Sequence, residues 1–168
     1  MERHIFLVGM PGSGKSALGR RVAQKLQLPY LDTDVYLTEV TGMNTAQLYT
    51  TFGEQAFRDG ETRLLQQLVS ATPGIISTGG GVCLRDENRR LMRNHGLIVL
   101  IDRPIDDIML DIRAEKRPFL AQKGREEIER IYSERMPIYK SVADVVMDNG
   151  NGFHNGLASL EEIVRRYA

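Results

Sequence analysis

Ile5-Phe6-Leu7-Val8 is a continuous apolar run, the pattern of a short strand buried on both faces. A glycine-rich stretch follows. Then Ala17, Leu18, Val22, Ala23 and Leu26 recur at helical spacing, and Pro29 marks the end of that helix. Leu28 to Asp32 predicts a second short strand that ends in acids. Asp34 to Ser70 reads as mostly helical, with turns near Thr41-Gly42 and at Gly53. Pro73-Gly74 breaks the chain before the strand Ile75 to Thr78, which runs into Gly79-Gly80-Gly81. Asp86 is expected to cap a helix that Gly96 closes. Leu97 to Ile101 is the most hydrophobic strand. Pro104 is expected in the first turn of the next helix, where its missing N–H does no harm.

The pattern fades from Ala114 to Gly124. It resumes as a helix over Arg125 to Tyr139, a last strand at Val145-Val146-Met147, and a final helix from Leu157 to Tyr167. The asparagine- and glycine-rich segment 148–156 between those two reads as a loop. Strands alternating with helices predict an α/β protein with a mostly parallel sheet of about five strands and helices on both faces. Ligands in such sheets bind beyond the carboxyl ends of the strands. Three of the strands end in unusual chemistry there: GMPGSGKS, DTD and GGG.

The 168 residues predict one domain. The 22 Lys and Arg balance the 22 Asp and Glu, which speaks against a partner held by non-specific nucleic-acid binding. Cys83 is the only cysteine, so no internal disulfide and no paired-cysteine zinc cage is possible. The amino terminus lacks the pattern of a signal peptide, and no apolar run is long enough to cross a membrane. The expectation is a cytoplasmic protein.

Gly9-Met10-Pro11-Gly12-Ser13-Gly14-Lys15-Ser16 fits G-x-x-x-x-G-K-[ST]. It lies between a strand and a helix, as that motif requires. Glycines let backbone N–H groups converge on phosphates, and the helix dipole points its positive end at the same place. Lys15 is expected at the β- and γ-phosphates and Ser16 on Mg²⁺, with Gly12, Ser13, Gly14 and Ala17 completing the nucleotide contacts. No N-K-x-D guanine signature and no apolar run ending in Asp-Glu appears. A small kinase using ATP and Mg²⁺ remains.

The acceptor must be held by other polar residues. Asp32 and Asp34 lie two apart at a strand end, so both carboxylates are expected on one side; the alternative is a helix cap. Arg58 and Glu61 lie three apart on a helix. They form either a surface ion pair or an arginine held to grip a carboxylate. Gly79-Gly80-Gly81 is either a flexible turn or a place where backbone approaches a ligand closely.

GMPGSGKS, LDTD, FGEQAFRDGE, STGGG, KRPFL and ERMPIY, in that order, resemble the shikimate kinase family. The resemblance implies a three-layer P-loop fold. It implies a shikimate-binding segment over residues 33–61, a lid over 112–124, and a monomer. It also implies transfer of the γ-phosphoryl group of ATP to the 3-hydroxyl of shikimate. Asp34 would bind the substrate hydroxyls and activate one. Arg58 and Arg135 would bind its carboxylate. Gly80, flanked by Gly79 and Gly81, would offer backbone N–H. Asp32 would stand behind the Mg²⁺ waters, and Arg117 would close over the transferring phosphate. Without the resemblance, Arg135 would read as part of a solvated helix face, and Arg117 as an exposed loop residue.

The departures from the family are small. Val35-Tyr36-Leu37-Thr38-Glu39 shifts the acid that often follows DTD, and Phe119 stands where the family commonly has leucine. No adenine-contacting residue is assigned, and His4, His95 and His154 lie outside every motif. The competing readings are a kinase for another polyol acid such as gluconate and a nucleotide-binding protein without catalysis. Lys15, Arg58, Arg117 and Arg135 are expected to converge on one positive cleft.

Overall fold

A computed structural model describes residues 1–114 and 124–167, with the backbone alone for 112–114. Five parallel strands form one sheet: β1 (His4–Val8), β2 (Tyr30–Asp32), β3 (Ile75–Ser77), β4 (Gly96–Asp102) and β5 (Val145–Asp148), in the order β2-β3-β1-β4-β5. Among the described residues seven helices accompany them: α1 (Lys15–Leu26), α2 (Thr33–Thr41), α3 (Thr45–Leu68), α4 (Asp86–His95), α5 (Ile105–Ala114), α6 (Arg125–Val142) and α7 (Phe153–Tyr167). A short 3₁₀ turn spans Val82–Leu84. The three-layer α/β arrangement expected from the pattern is the observed one.

The alternation of β1 builds two cores. Phe6 and Val8 join Leu65, Met92, Ile131 and Tyr139 on one face. Ile5 and Leu7 join Leu18, Val22, Leu160 and Val164 on the other. Every one of these side chains is nearly inaccessible to solvent. This is why Ile5 to Val8 shows no polar position: both faces of β1 are interior. Gly19 lets α1 lie against the sheet, because a Cβ there would sit 2.7 Å from Leu7 Cδ1 and 2.9 Å from Ser77 Oγ.

The order puts β1 at the centre, with β3 on one side and β4 on the other. Ile5 pairs with both Ile75 and Leu97. The crevice beyond β1 is therefore where the topology switches direction, and the glycine loop fills it.

Three local expectations change. Asp86 is in the first turn of α4 rather than at its cap, and its carboxylate meets Arg89 and Arg90 at 3.2 and 2.7 Å. Pro104 precedes α5, its carbonyl accepting from Ile108 N. The final helix starts at Phe153, so half of the expected loop is helical. The turn at Gly53 is real: its φ of 82° breaks α3, and a capping box between Asn44 and Gln47 starts that helix. Arg117 and most of the expected lid over 112–124 lie outside the described residues.

Candidate active site

The loop after β1 needs its glycines. Gly9, Gly12 and Gly14 have φ of 143°, 86° and 99°, conformations that side chains with a Cβ rarely adopt. Lys15 Nζ donates to Gly9 O and Met10 O, each at 2.8 Å, which keeps the buried ammonium over its own loop. Ser16 Oγ donates to Asp32 Oδ2 at 2.5 Å. Ser77 Oγ donates to Lys15 O at 3.1 Å, tying the start of α1 to β3.

Asp32, Thr33 and Asp34 do not share a strand face. β2 ends at Asp32, and the chain turns into α2 at once. Asp32 Oδ1 caps that helix, accepting from Asp34 N at 3.0 Å and Val35 N at 3.1 Å. Capping and contact with Ser16 thus occur together, one on each oxygen. Thr33 Oγ1 accepts from Gly79 N at 2.9 Å. Asp34, half-buried in the first turn, faces the adjoining pocket. Burial, followed by the charges of Asp32 and Glu61, pushes its carboxyl up to about 6; Lys15 and Arg58 pull the other way.

That pocket is walled by Pro11 of the glycine loop, Asp34, Arg58 and Glu61 of α3, the three glycines, and Arg135 of α6. Thr45, Tyr49 and Phe57 close its outer side. Arg58 is 8% exposed and Glu61 5%, so their ion pair is not a surface pair. Burial raises the Glu61 carboxyl, and Arg58 opposes it. Arg58 Nε is buried with no hydrogen-bond partner among the described residues. The exposed face of α6 is served by Arg130, which pairs with Glu127 at 2.7 Å and Glu134 at 2.6 Å. Arg135 turns away from it to the pocket.

The three glycines are not a flexible turn. A Cβ on Gly79 would sit 2.8 Å from both Asp34 Oδ1 and Glu61 Oε1, and one on Gly80 would sit 2.7 Å from Pro11 Cδ. One on Gly81 would fall on the Arg58 guanidinium. None of the three has a positive φ, so the demand is for space. Gly79 has given its N–H to Thr33, which leaves that expected role to Gly80 and Gly81. The Tyr139 hydroxyl donates to Gly80 O and so fixes the trio from the α6 side.

Of the four cations expected to converge, Arg117 lies outside the described residues, and the other three stand beside acids. Lys15, Arg58 and Arg135 meet Asp32, Asp34 and Glu61 across the cleft. Tyr49, Phe57, Tyr139, Arg103 and Asn149 are the residues that sequence reasoning missed. The first three are walls and struts; Phe57 and Tyr139 stand inside FGEQAFRDGE and ERMPIY without a role assigned to them there, and Tyr49 lies in none of the quoted strings. Arg103 Nη1 donates to Gly12 O at 2.9 Å, and Asn149 Nδ2 to Ser13 O at 2.8 Å. No group of three or more His, Cys, Asp or Glu suited to a metal occurs among the described residues. Ser16 and Asp32 are hard oxygen donors beside a phosphate loop. They fit Mg²⁺, which takes few protein ligands and relies on phosphates and water for the rest.

The family model for shikimate kinase matches residues 11–167. The chain belongs to the shikimate kinase family. A shikimate kinase of Clostridium botulinum (strain Eklund 17B / Type B) is 36% identical over 164 residues, covering 98% of each chain. Shikimate kinase from Acinetobacter baumannii, solved in complex with shikimate, superposes with a TM-score of 0.86 at 28% identity, over 98% of this chain and 91% of that one. The shikimate kinase of Bacteroides thetaiotaomicron gives a TM-score of 0.86 at 29% identity, over 97% and 98%. Family membership sets aside the gluconate alternative and the non-catalytic one. It makes ATP and Mg²⁺ the family's cofactors here. Among the described residues, no helix is long and apolar enough to cross a membrane.

Proposed function

We propose that this pocket binds shikimate and that the adjoining loop presents ATP to it. The enzyme transfers the γ-phosphoryl group of ATP to the 3-hydroxyl of shikimate, giving shikimate 3-phosphate and ADP. The observation that carries the reading is the shared wall. Pro11 of the phosphate loop lines the same pocket as Arg58, Arg135 and Asp34, so donor and acceptor meet without an intervening element.

The roles follow from the chemistry. Arg58 and Arg135 bind the substrate carboxylate; Glu61 holds Arg58 in place, and Arg58 Nε, with Glu54 at 3.9 Å and no hydrogen bond among the described residues, remains to donate. Asp34 accepts the proton of the attacking hydroxyl. A carboxyl near 6 is ionised at neutral pH yet basic enough to share that proton. The hydroxyl oxygen bonds to the γ-phosphorus as the bridging bond to ADP breaks. Gly80 and Gly81 offer their amides to a hydroxyl. Gly12, Ser13, Gly14, Lys15, Ser16 and Ala17 hold the nucleotide. Ser16 and Asp32 would hold Mg²⁺, which neutralises phosphate charge when bound. Arg117 and the segment 112–124 are assigned closure over the phosphates on the strength of the resemblance.

The resemblance to the family is what supports a monomer. A balanced charge and two small anionic substrates support a cytoplasmic enzyme with no nucleic-acid or membrane partner. Coupled measurement of ADP release with Mg²⁺ and ATP tests the reaction. Turnover is expected with shikimate and not with gluconate; equal rates with both would overturn the acceptor assignment. Light scattering at the mass of a dimer would overturn the monomer.

A further inference from the structure

Two side chains from outside the glycine loop grip its carbonyls. Asn149, just after β5, donates Nδ2–H to Ser13 O at 2.8 Å across 136 positions of sequence. Arg103, just after β4, donates Nη1–H to Gly12 O at 2.9 Å and pairs with Asp111 of α5 at 2.5 Å. In a trans peptide, C=O and N–H point to opposite sides of the chain. Holding Ser13 O toward Asn149 therefore turns the Gly14 N–H away from it. The Gly12–Ser13 peptide is held at both ends, because Ser13 N also donates to Met10 O at 3.1 Å.

The surroundings are built to admit Asn149. A Cβ on Gly14 would lie 2.8 Å from Asn149 Nδ2, and one on Gly156 would fall on Asn149 Oδ1. Asn149 N donates to Asp102 O at 2.7 Å, fixing the backbone as well. Asn149 is 9% exposed, and its Oδ1 is buried without a hydrogen-bond partner among the described residues. An amide kept there against that burial cost gains only from its donor side, and the donor goes to the loop.

We propose that Asn149, with Arg103, is a positioning residue for the phosphoryl donor. Together they fix the Gly12–Ser13 and Ser13–Gly14 peptide planes and so set the direction of the loop's amides toward the nucleotide phosphates. The proposal rests on the reading that this loop holds ATP.

Calorimetric titration of ADP, with Mg²⁺ present, tests it. Asn149→Leu keeps the shape and removes the donor. Loss of one such bond predicts about tenfold weaker ADP, with shikimate affinity within twofold of wild type. In turnover, KM for ATP rises by a larger factor than kcat falls. Arg103→Gln, at a partly exposed site, shows the same split and carries the test alone if Asn149→Leu does not fold. A purely structural role would lower the melting temperature and leave ADP affinity unmoved. ADP affinity within twofold of wild type in a folded variant, or equal weakening of ADP and shikimate, overturns the proposal. Absence of ADP binding by the wild-type enzyme would instead overturn the nucleotide assignment.

Discussion

Asp34→Asn separates what the active site needs from what the fold prefers. In the native protein the Asp34 carboxyl lies at about 6, against an ordinary 3.8. Burial is the main cause, and Asp32 and Glu61 add to it. The native state therefore binds the proton more tightly than the unfolded chain. Stability is fully present below about pH 4 and is lost as pH rises through 6. The gap corresponds to about 3 kcal/mol at pH 8. Asparagine keeps the shape without the charge, so the variant should be more stable than wild type above pH 7, by up to about that amount. At roughly 2–4 °C per kcal/mol, that is a rise of about 6–12 °C in Tm. The advantage should vanish near pH 4. Turnover should fall by about 10²–10⁴, the range for removing a general base. Wild-type kcat/KM should drop tenfold per pH unit below about 6. Thermal melts from pH 4 to 8, run without substrates, read the stability arm. A variant no more stable than wild type at pH 8 would refute the claim that the charged carboxylate is disfavoured there.

Arg58→Ala should raise the shikimate KM by about 10–150-fold, the equivalent of 1.5–3 kcal/mol for a hydrogen bond to a charged group, with the ATP KM little changed. It also leaves Glu61 buried without its partner, so Tm should fall, and Arg58→Ala/Glu61→Gln should recover part of that loss without recovering the KM. Gly81→Ala should weaken shikimate by at least tenfold, because the added methyl displaces the Arg58 guanidinium; Gly60→Ala, with nothing within 4 Å, serves as the control and should bind normally. Wild-type affinity in Gly81→Ala would show that the guanidinium can move without consequence.

Local chemistry was legible where spacing alone specifies it. The glycine loop works through consecutive backbone groups, so eight adjacent residues reveal it. The pairing of Asp32 with Asp34 was expected for a reason that does not hold. Strand alternation is not what brings them together; a cap at Asp32 turns the chain into α2. The early start of α7 shows tertiary context overriding composition. Asn and Gly disfavour helix, yet Gly156 is buried against Asn149, and the helix continues into an apolar face at Leu160 and Val164. Arg103 and Asn149 carry no local signal at all, since their partners lie 91 and 136 positions away. Tyr49 and Phe57 read as ordinary aromatics until the break at Gly53 angles one half of α3 against the other.

The two oxygens of Asp32 face two different clients. One holds the amides that begin α2, and with them Asp34; the other holds the hydroxyl that opens α1. One carboxylate thus connects the residues proposed for the donor to one proposed for the acceptor. Linkage makes coupling between the two sites reciprocal: any factor by which nucleotide changes the affinity for shikimate is the factor by which shikimate changes the affinity for nucleotide.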